Sequence, residues 1–180
     1  MEEDRDRWPR PVGESRSPGS GKHFFLWLGV IAALSIGFNT WLDRQENPNR
    51  APETLVTDTG AREVALERNL SGHYVASGEI NGHPVTFIVD TGATKVSVPL
   101  AVAERVGLEK GLPMAVRTAN GSARAYMTTL DEISIGGIRQ RDVRGSINPS
   151  FKADAVLLGM SFLGELEFTQ SQGTLILRQD

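Results

Sequence analysis

The sequence VTFIVDTGAT, residues 85–94, decides the fold expected for this chain. Its first five residues, 85–89, are apolar or β-branched and predict a buried strand. That strand leads directly into Asp90 and a turn that contains Gly92. A carboxylate that follows a buried strand lies at the rim of the hydrophobic core, in the kind of environment where functional acids cluster. The segment therefore predicts a functional site built on one aspartate.

Short apolar runs separated by glycine and asparagine continue from Glu63 to the end of the chain. Runs of this length with such punctuation are typical of β-strands. Besides residues 85–89, we expect strands at 64–66, 74–80, 114–118, 124–130, 133–135, 138–143, 156–158, 166–168 and 175–177. The sequence thus predicts an all-β domain.

Turn and helix signals complete this pattern. Three dipeptides predict tight hairpin turns, which need positive φ at both central residues. These are Asn81-Gly82, Asn120-Gly121 and Gly136-Gly137. One helix is expected at residues 99–106, because proline is favoured at a first helical position and Gly107 ends the pattern. A second short helical turn is expected after Gly159.

Residues 1–62 have a different character. Residues 24–42 carry no charged side chain, and a helix of this length reaches ~28 Å, close to the ~30 Å of a hydrocarbon core. A cleaved signal peptide is the alternative, but its apolar region is usually shorter and ends in small residues. We expect a disordered tail at 1–22, a transmembrane helix at 23–42, a linker at 43–62 and the folded domain at 63–180.

The distribution of positive charge predicts the orientation of the chain in the membrane. The tail carries five Lys or Arg residues, whereas residues 43–62 carry three. Because positive charge favours the cytoplasmic side, we expect a single-pass protein of the inner membrane with a cytoplasmic N-terminus. The folded domain would then be periplasmic or otherwise extracytoplasmic.

Composition excludes several kinds of chemistry. Among the 180 residues there is no cysteine and there are only three histidines, so disulfides, thiolate catalysis and a cysteine-bearing zinc site are excluded. The net charge of −3 gives no indication of nucleic-acid binding. We therefore expect no metal, no cofactor and no nucleic-acid partner.

At residues 87–94 and 157–163 the sequence resembles the retropepsin-like aspartic proteases, in particular the membrane-anchored bacterial members with a single lobe. The second segment, LLGMSFL, begins 67 residues after Asp90. Residues 72–74, the hairpin at 80–85 and the Asn120-Gly121 hairpin also match the family, so the resemblance extends over residues 64–177. It implies a single-lobe acid-protease barrel and an enzyme that hydrolyses peptide bonds.

The resemblance also implies a role for each part of the site. Asp90 of each of two chains would form a catalytic dyad that activates water, so the enzyme would be a homodimer acting on a polypeptide. Thr91 would hydrogen-bond across the dimer, and Gly92 would let the substrate backbone approach. Residues supporting the catalytic loop would be Thr91, Gly92, Ala93 and Thr94, packed on Leu157, Leu158 and Gly159. A flap at residues 114–126 would have its tip at Thr118, Ala119, Asn120, Gly121 and Ser122.

Two alternatives accompany this interpretation. Residues 58–61 repeat the letters Asp-Thr-Gly-Ala, and an intramolecular dyad of Asp58 with Asp90 is conceivable. We interpret the repeat as linker, because no apolar strand precedes it and 32 residues cannot build a second half-barrel. The other alternative is a non-catalytic dimerisation or peptide-binding module. The intact Asp90-Thr91-Gly92 favours the enzyme, since a scaffold has no use for two like charges at its interface.

Overall fold

The computed structural model of the chain describes residues 20–118 and 121–180. Contacts divide the chain into two units, residues 1–40 and residues 41–180. Most of the tail predicted at 1–22 lies outside the described residues. The first described element is helix α1, Ser20–Glu46, which contains the apolar stretch Phe25–Leu42 with a mean hydropathy of 1.7. This helix is long and apolar enough to span a membrane.

The remaining elements are mainly strands. Eleven strands and two short helices follow α1 in the described part of the chain. They are β1 Thr54–Val56, β2 Arg62–Glu67, β3 Val75–Ile80, β4 His83–Val89, β5 Val96–Pro99, α2 Leu100–Arg105, β6 Pro113–Thr118, β7 Gly121–Ile135, β8 Ile138–Asn148, β9 Ala155–Leu158, α3 Met160–Leu163, β10 Glu167–Ser171 and β11 Thr174–Gln179.

The strands form two sheets that share one core. The larger sheet has the order β3-β4-β9-β5-β8-β7-β6, and β3 also pairs with β7. The smaller sheet has the order β1-β2-β11-β10. Fully buried side chains from both sheets, such as Phe87, Ile147 and Leu177, belong to one hydrophobic cluster. Burial of this apolar surface is the main force that holds the two sheets together.

The all-β prediction is confirmed, and its local signals are mostly correct. Asn81 and Gly82 have φ of 52° and 77°, as the predicted β3–β4 hairpin requires. The helix expected at 99–106 is α2, with Pro99 as its N-cap residue. The helical turn expected after Gly159 is α3. Of the Asn120-Gly121 turn, Asn120 lies outside the described residues.

Two strand assignments differ from the prediction. Residues 124–130 and 133–135 belong to one continuous strand, β7, because Glu132 is paired with Arg141 of β8 and forms ion pairs with Arg139 and Arg141. Strand β5 was not predicted. Its four residues are assembled by pairing with β8 and β9, which lie far away in the sequence.

The structure also differs from the linker expected at residues 43–62. Helix α1 continues to Glu46, and the Asn49 side chain is buried with 7% of its surface exposed. Strand β1 pairs with β2, and the Thr54 hydroxyl accepts a hydrogen bond of 2.6 Å from the Gly137 N–H. Long-range contacts that sequence periodicity cannot reveal therefore attach this segment to the folded domain.

Candidate active site

Strand β4 places Asp90 at the edge of the core. It is antiparallel to β3 on one side and parallel to β9 on the other, with Val89 opposite Leu158. The chain leaves the sheet at Asp90, whose backbone N–H still donates a hydrogen bond of 3.1 Å to the Leu158 carbonyl. The Asp90 side chain is half-buried. The last strand residues thus fix the backbone from which the carboxylate projects.

The turn after Asp90 orients its carboxylate. The Gly92 N–H donates a hydrogen bond of 2.9 Å to Asp90 Oδ1, and the Ala93 N–H donates one of 3.2 Å to the Asp90 carbonyl. A Cβ atom at position 92 would lie 3.2 Å from Asp90 Oδ1. Because Gly92 has no side chain, the Asp90 carboxylate has room beside it. Thr91, Gly92 and Thr94 are exposed, so this loop faces outward from the domain.

Helix α3 supports the loop at residues 91–94 through backbone hydrogen bonds. The backbone N–H groups of Met160 and Ser161 donate hydrogen bonds of 2.8 Å and 3.1 Å to the carbonyls of Ala93 and Thr94. A Cβ atom at Gly159 would meet the carbonyl oxygens of Lys95 and Ala93, the latter at 2.6 Å. Only glycine allows this approach. Leu158 is fully buried, Leu157 is half-buried and Gly159 is buried beneath the loop.

Ser161 is a supporting residue that the sequence did not reveal. Its Oγ accepts a hydrogen bond of 3.0 Å from the Val96 N–H and donates one of 2.7 Å to the Arg144 carbonyl. It thereby connects α3 to both β5 and β8. The signal available in the sequence was its position two residues after the Leu-Leu-Gly triplet, but its partners lie in strands that periodicity does not identify.

Strands β6 and β7 form a hairpin over the residues expected to be the flap. Met114, Val116 and Ala123 are half-buried and Ala125 is fully buried, so these side chains share the inner face of the hairpin. Its outer face carries Arg117 opposite Ser122, and Arg124 opposite Ala115, all of them exposed. Of the predicted tip, Thr118 is paired with Gly121. Ala119 and Asn120, like the Thr118 side chain, lie outside what the structure describes.

The second Asp-Thr-Gly-Ala segment is elsewhere in the fold. Residues 58–61 form the turn between β1 and β2 in the smaller sheet, where the Thr57 N–H donates a hydrogen bond of 2.9 Å to the Ala61 carbonyl. Asp58 is exposed there. The structure thus places Asp58 and Asp90 in loops of different sheets. Within the described ranges, no group of three or more His, Asp or Glu residues is positioned to hold a metal ion.

Comparison with known proteins places this geometry in a family. A family model described as "gag-polyprotein putative aspartyl protease" matches residues 76–165, half of the chain. The chain belongs to the retropepsin-like aspartic protease family. The resemblance deduced from the two segments around Asp90 and Gly159 is therefore confirmed. The matched range contains β4, the loop at residues 90–94, the β6–β7 hairpin, β9 and α3 of this retropepsin-like protein.

Individual relatives agree with the family. The "Uncharacterized protein in cobV 5'region" of Sinorhizobium sp. is 37% identical over an alignment of 158 residues, and the match covers 81% of this chain and 67% of that protein. The "Uncharacterized protein RP867" of Rickettsia prowazekii (strain Madrid E) is 29% identical over an alignment of 145 residues, and the match covers 77% of this chain and 62% of that protein. A crystal structure of a retropepsin-like aspartic protease from Rickettsia conorii matches with a TM-score of 0.57 and 29% identity, covering 66% of this chain and 91% of that one.

Proposed function

We propose that this protein is a membrane-anchored aspartic endopeptidase whose catalytic dyad consists of Asp90 from each of two copies. The observation that carries the proposal is the difference between its two Asp-Thr-Gly segments. Asp90 follows a core strand and has its carboxylate oriented by the Gly92 N–H at 2.9 Å. Asp58 lies in an exposed hairpin turn of the other sheet. Each chain therefore offers one suitable acid.

The chemistry explains why two copies are needed. Hydrolysis of a peptide bond without a metal or a covalent nucleophile needs a base that activates water and an acid that protonates the carbonyl oxygen. Two carboxylates held ~3 Å apart share one proton and can fill both roles. A C₂ dimer with its axis between the two copies of Asp90 brings them together. The exposed Thr91 of each loop would then hydrogen-bond across the axis.

The flap hairpin suits a polypeptide substrate. A hairpin that closes over an extended peptide excludes water and adds backbone hydrogen bonds. The inner face, with Met114, Val116 and Ala123, would contact apolar substrate side chains. Arg117 and Arg124 are on the outer face of the hairpin, away from the buried Ala125. We therefore assign them no role in substrate binding.

The membrane part of the proposal rests on α1 and on charge. The stretch Phe25–Leu42 has the length and hydropathy of a span, and Trp27 and Trp41 stand near its ends, where indole rings favour the membrane–water boundary. The excess of positive charge before the span favours a cytoplasmic N-terminus. The protease domain would accordingly act in the periplasm.

The proposal is tested with the full-length protein in detergent and a library of unstructured peptides. Cleavage is measured between about pH 4 and pH 8, because the rate of acid–base catalysis depends on pH. We expect cleavage that Asp90→Asn reduces by about 10³-fold or more, because the dyad loses its base. Asp58→Asn is the matched control, since it makes the same substitution in the same tetrapeptide. It should retain the activity of the unmodified protein.

The outcomes separate the two function classes. Cleavage that depends on Asp90 and not on Asp58 supports the endopeptidase. Peptides that bind to the protein but remain intact over the whole pH range would support the non-catalytic module instead. Cleavage that survives Asp90→Asn would mean that the catalytic residue is wrongly assigned.

A further inference from the structure

The segment just after the apolar helix is fastened to the domain by asparagine side chains. We call residues 47–50 the strap. Asn49 Nδ2 donates hydrogen bonds to the carbonyls of Glu67 at 2.9 Å and Val75 at 2.7 Å. Its Oδ1 accepts one of 2.7 Å from the Glu67 N–H. Asn49 therefore completes backbone hydrogen bonds of two neighbouring segments, β2 and β3.

Further bonds fix the strap on both sides of Asn49. The Ser77 N–H donates a hydrogen bond of 2.9 Å to the Asn49 carbonyl, and Asn47 Nδ2 donates one of 3.0 Å to Ser77 Oγ. The Asn69 side chain donates one of 3.0 Å to the carbonyl of Glu46, the last residue of α1. With 7% of its surface exposed, Asn49 would leave buried polar groups unpaired if the strap detached.

The strap leaves very little free chain between the span and the domain. From Leu42, the end of the apolar stretch, to Asn49 there are seven residues. Even fully extended they reach only about 25 Å, and the first of them continue as helix to Glu46, which shortens them further. A flexible linker over residues 43–62 would instead have allowed a separation of about 70 Å between the span and the domain.

The strap is also attached close to the catalytic loop. Asn49 binds the carbonyl of Val75, and Val75 is paired with Ile88 on the neighbouring strand β4. Asp90 follows Ile88 by two residues. One hydrogen bond, one strand spacing and two residues of extended chain amount to about 15 Å. The carboxylate therefore lies within about 40 Å of the end of the span.

We infer that the substrates are membrane-anchored polypeptides that are cut in the segment next to their own span. This inference rests on the proposed peptidase function and adds the class of substrate. An active site held within about 40 Å of the bilayer encounters juxtamembrane segments of other anchored proteins at a raised effective concentration. A peptide segment held well above that height cannot reach Asp90.

The test uses full-length protein in lipid vesicles with two single-span reporters. Both carry one peptide that the detergent-solubilised protein cleaves. In the near reporter the peptide follows the span directly, and in the far reporter a helical Glu-Ala-Ala-Ala-Lys spacer of about 60 residues raises it by about 90 Å. We expect the near reporter to be cleaved at least about tenfold faster, because effective concentration vanishes where a tether cannot span the distance.

A spacer in the protease should reverse this preference. The same helical spacer, inserted between Glu46 and Asn47, extends α1 and keeps the hydrogen bonds of Asn47 and Asn49, although it separates Glu46 from Asn69. That variant should prefer the far reporter, while the same spacer added at the amino terminus, on the other side of the span, should change nothing. Equal cleavage of near and far reporters by the unmodified protein would overturn the inference. If a free peptide is still cleaved in an Asp90-dependent manner in that case, the proposed function stands.

A second measurement needs no catalysis and therefore tests the reach of the domain even if the proposed function fails. The chain contains no cysteine, so Ser71→Cys gives a single labelling site. Ser71 is exposed, two residues after Asn69, which binds the end of α1. A fluorophore there should be quenched by lipids with nitroxide headgroups, and the spacer after Glu46 should abolish the quenching. Equal signals with and without that spacer would show that the domain is not held near the bilayer.

Discussion

The chain contains the tetrapeptide Asp-Thr-Gly-Ala twice, and the two copies have different structures. Residues 58–61 form a turn in which Asp58, Thr59 and Gly60 are exposed and Ala61 is buried. The hydroxyls of Thr57 and Thr59 share a hydrogen bond of 2.8 Å there, and Gly60 has φ of 88°. Residues 90–93 follow a core strand, and helix α3 donates hydrogen bonds of 2.8 Å and 3.1 Å to the loop. The same tetrapeptide thus forms a hairpin turn at residues 58–61, whereas at residues 90–93 it forms a loop that α3 supports by hydrogen bonds.

The difference lies in the surroundings of each copy. Asp90 follows a strand whose Phe87 is fully buried, and the backbone of Leu158 accepts its N–H. Asp58 follows β1, whose Leu55 and Val56 are exposed. The copy at 90–93 thus has a buried strand before it and a distant segment that supports it, whereas an exposed strand precedes the copy at 58–61. The following substitutions test this contrast by making equivalent changes in both copies or in the residues that support only one of them.

The largest effect is expected at the glycine that allows close packing under the catalytic loop. In Gly159→Ala the new Cβ would press on the carbonyls of Ala93 and Lys95, and we expect a loss of about 3 kcal/mol in the free energy of unfolding. Peptidase activity should fall about 100-fold, since the loop that carries Asp90 must move. In Gly60→Ala only the positive φ is strained, which costs about 1 to 2 kcal/mol.

Urea denaturation measures the free energy of unfolding of both variants, and peptide cleavage measures their activity. Full activity in the folded fraction of Gly159→Ala would show that the loop does not depend on α3. A loss of activity in the folded fraction of Gly60→Ala would show that the 58–61 turn contributes to the site.

The next effect concerns the glycine within the motif. In Gly92→Ala the Cβ would lie 3.2 Å from Asp90 Oδ1, and position 92 does not need positive φ. We expect stability to change by less than about 1 kcal/mol, while kcat/KM falls about 10- to 100-fold because the carboxylate is displaced. Thermal unfolding measures the stability of the variant, and initial rates give its kcat/KM. A destabilised domain with normal kcat/KM would contradict the prediction.

A smaller effect is expected at the two threonines. Thr91 is proposed to hydrogen-bond across the dimer, whereas Thr59 shares an exposed hydrogen bond within its own turn. Thr91→Ala should weaken dimerisation about tenfold, which corresponds to one or two lost hydrogen bonds at an interface. Thr59→Ala should leave it unchanged. Analytical ultracentrifugation of the detergent-solubilised variants measures the dimer affinity of each. Equal dimer affinities would argue against the assigned role of Thr91.

The smallest effect concerns the connection made by Ser161. Ser161→Ala leaves the Val96 N–H and the Arg144 carbonyl without this hydroxyl, and we expect a loss of about 1 to 2 kcal/mol in stability. Activity should change by less than about threefold, since the backbone bonds from α3 to the catalytic loop remain. Chemical denaturation measures the loss of stability. A loss of activity like that of Gly159→Ala would mean that Ser161 controls the loop directly.

Those parts of the fold could be predicted that depend on residues close together in the sequence. The strand before Asp90 and the Asn81-Gly82 hairpin follow from residues adjacent in the sequence. Strand β5 and the buried Asn49 could not be predicted, because β8, β9, Glu67 and Val75 hold them across long sequence separations. The candidate site follows the same rule. Asp90 and Gly159 stand in recognisable motifs, whereas Ser161 acts only through its distant partners.

The central claim is that one Asp90 per chain becomes catalytic only beside a second copy, and mixing tests it most directly. Unmodified protein and Asp90→Asn are co-expressed in equal amounts, and the activity is measured at constant total protein. If dimers form at random and both carboxylates are required, activity should be about one quarter of that of the unmodified protein, since only dimers with two intact copies work. Activity of one half, falling in simple proportion to the unmodified chain, would contradict the account.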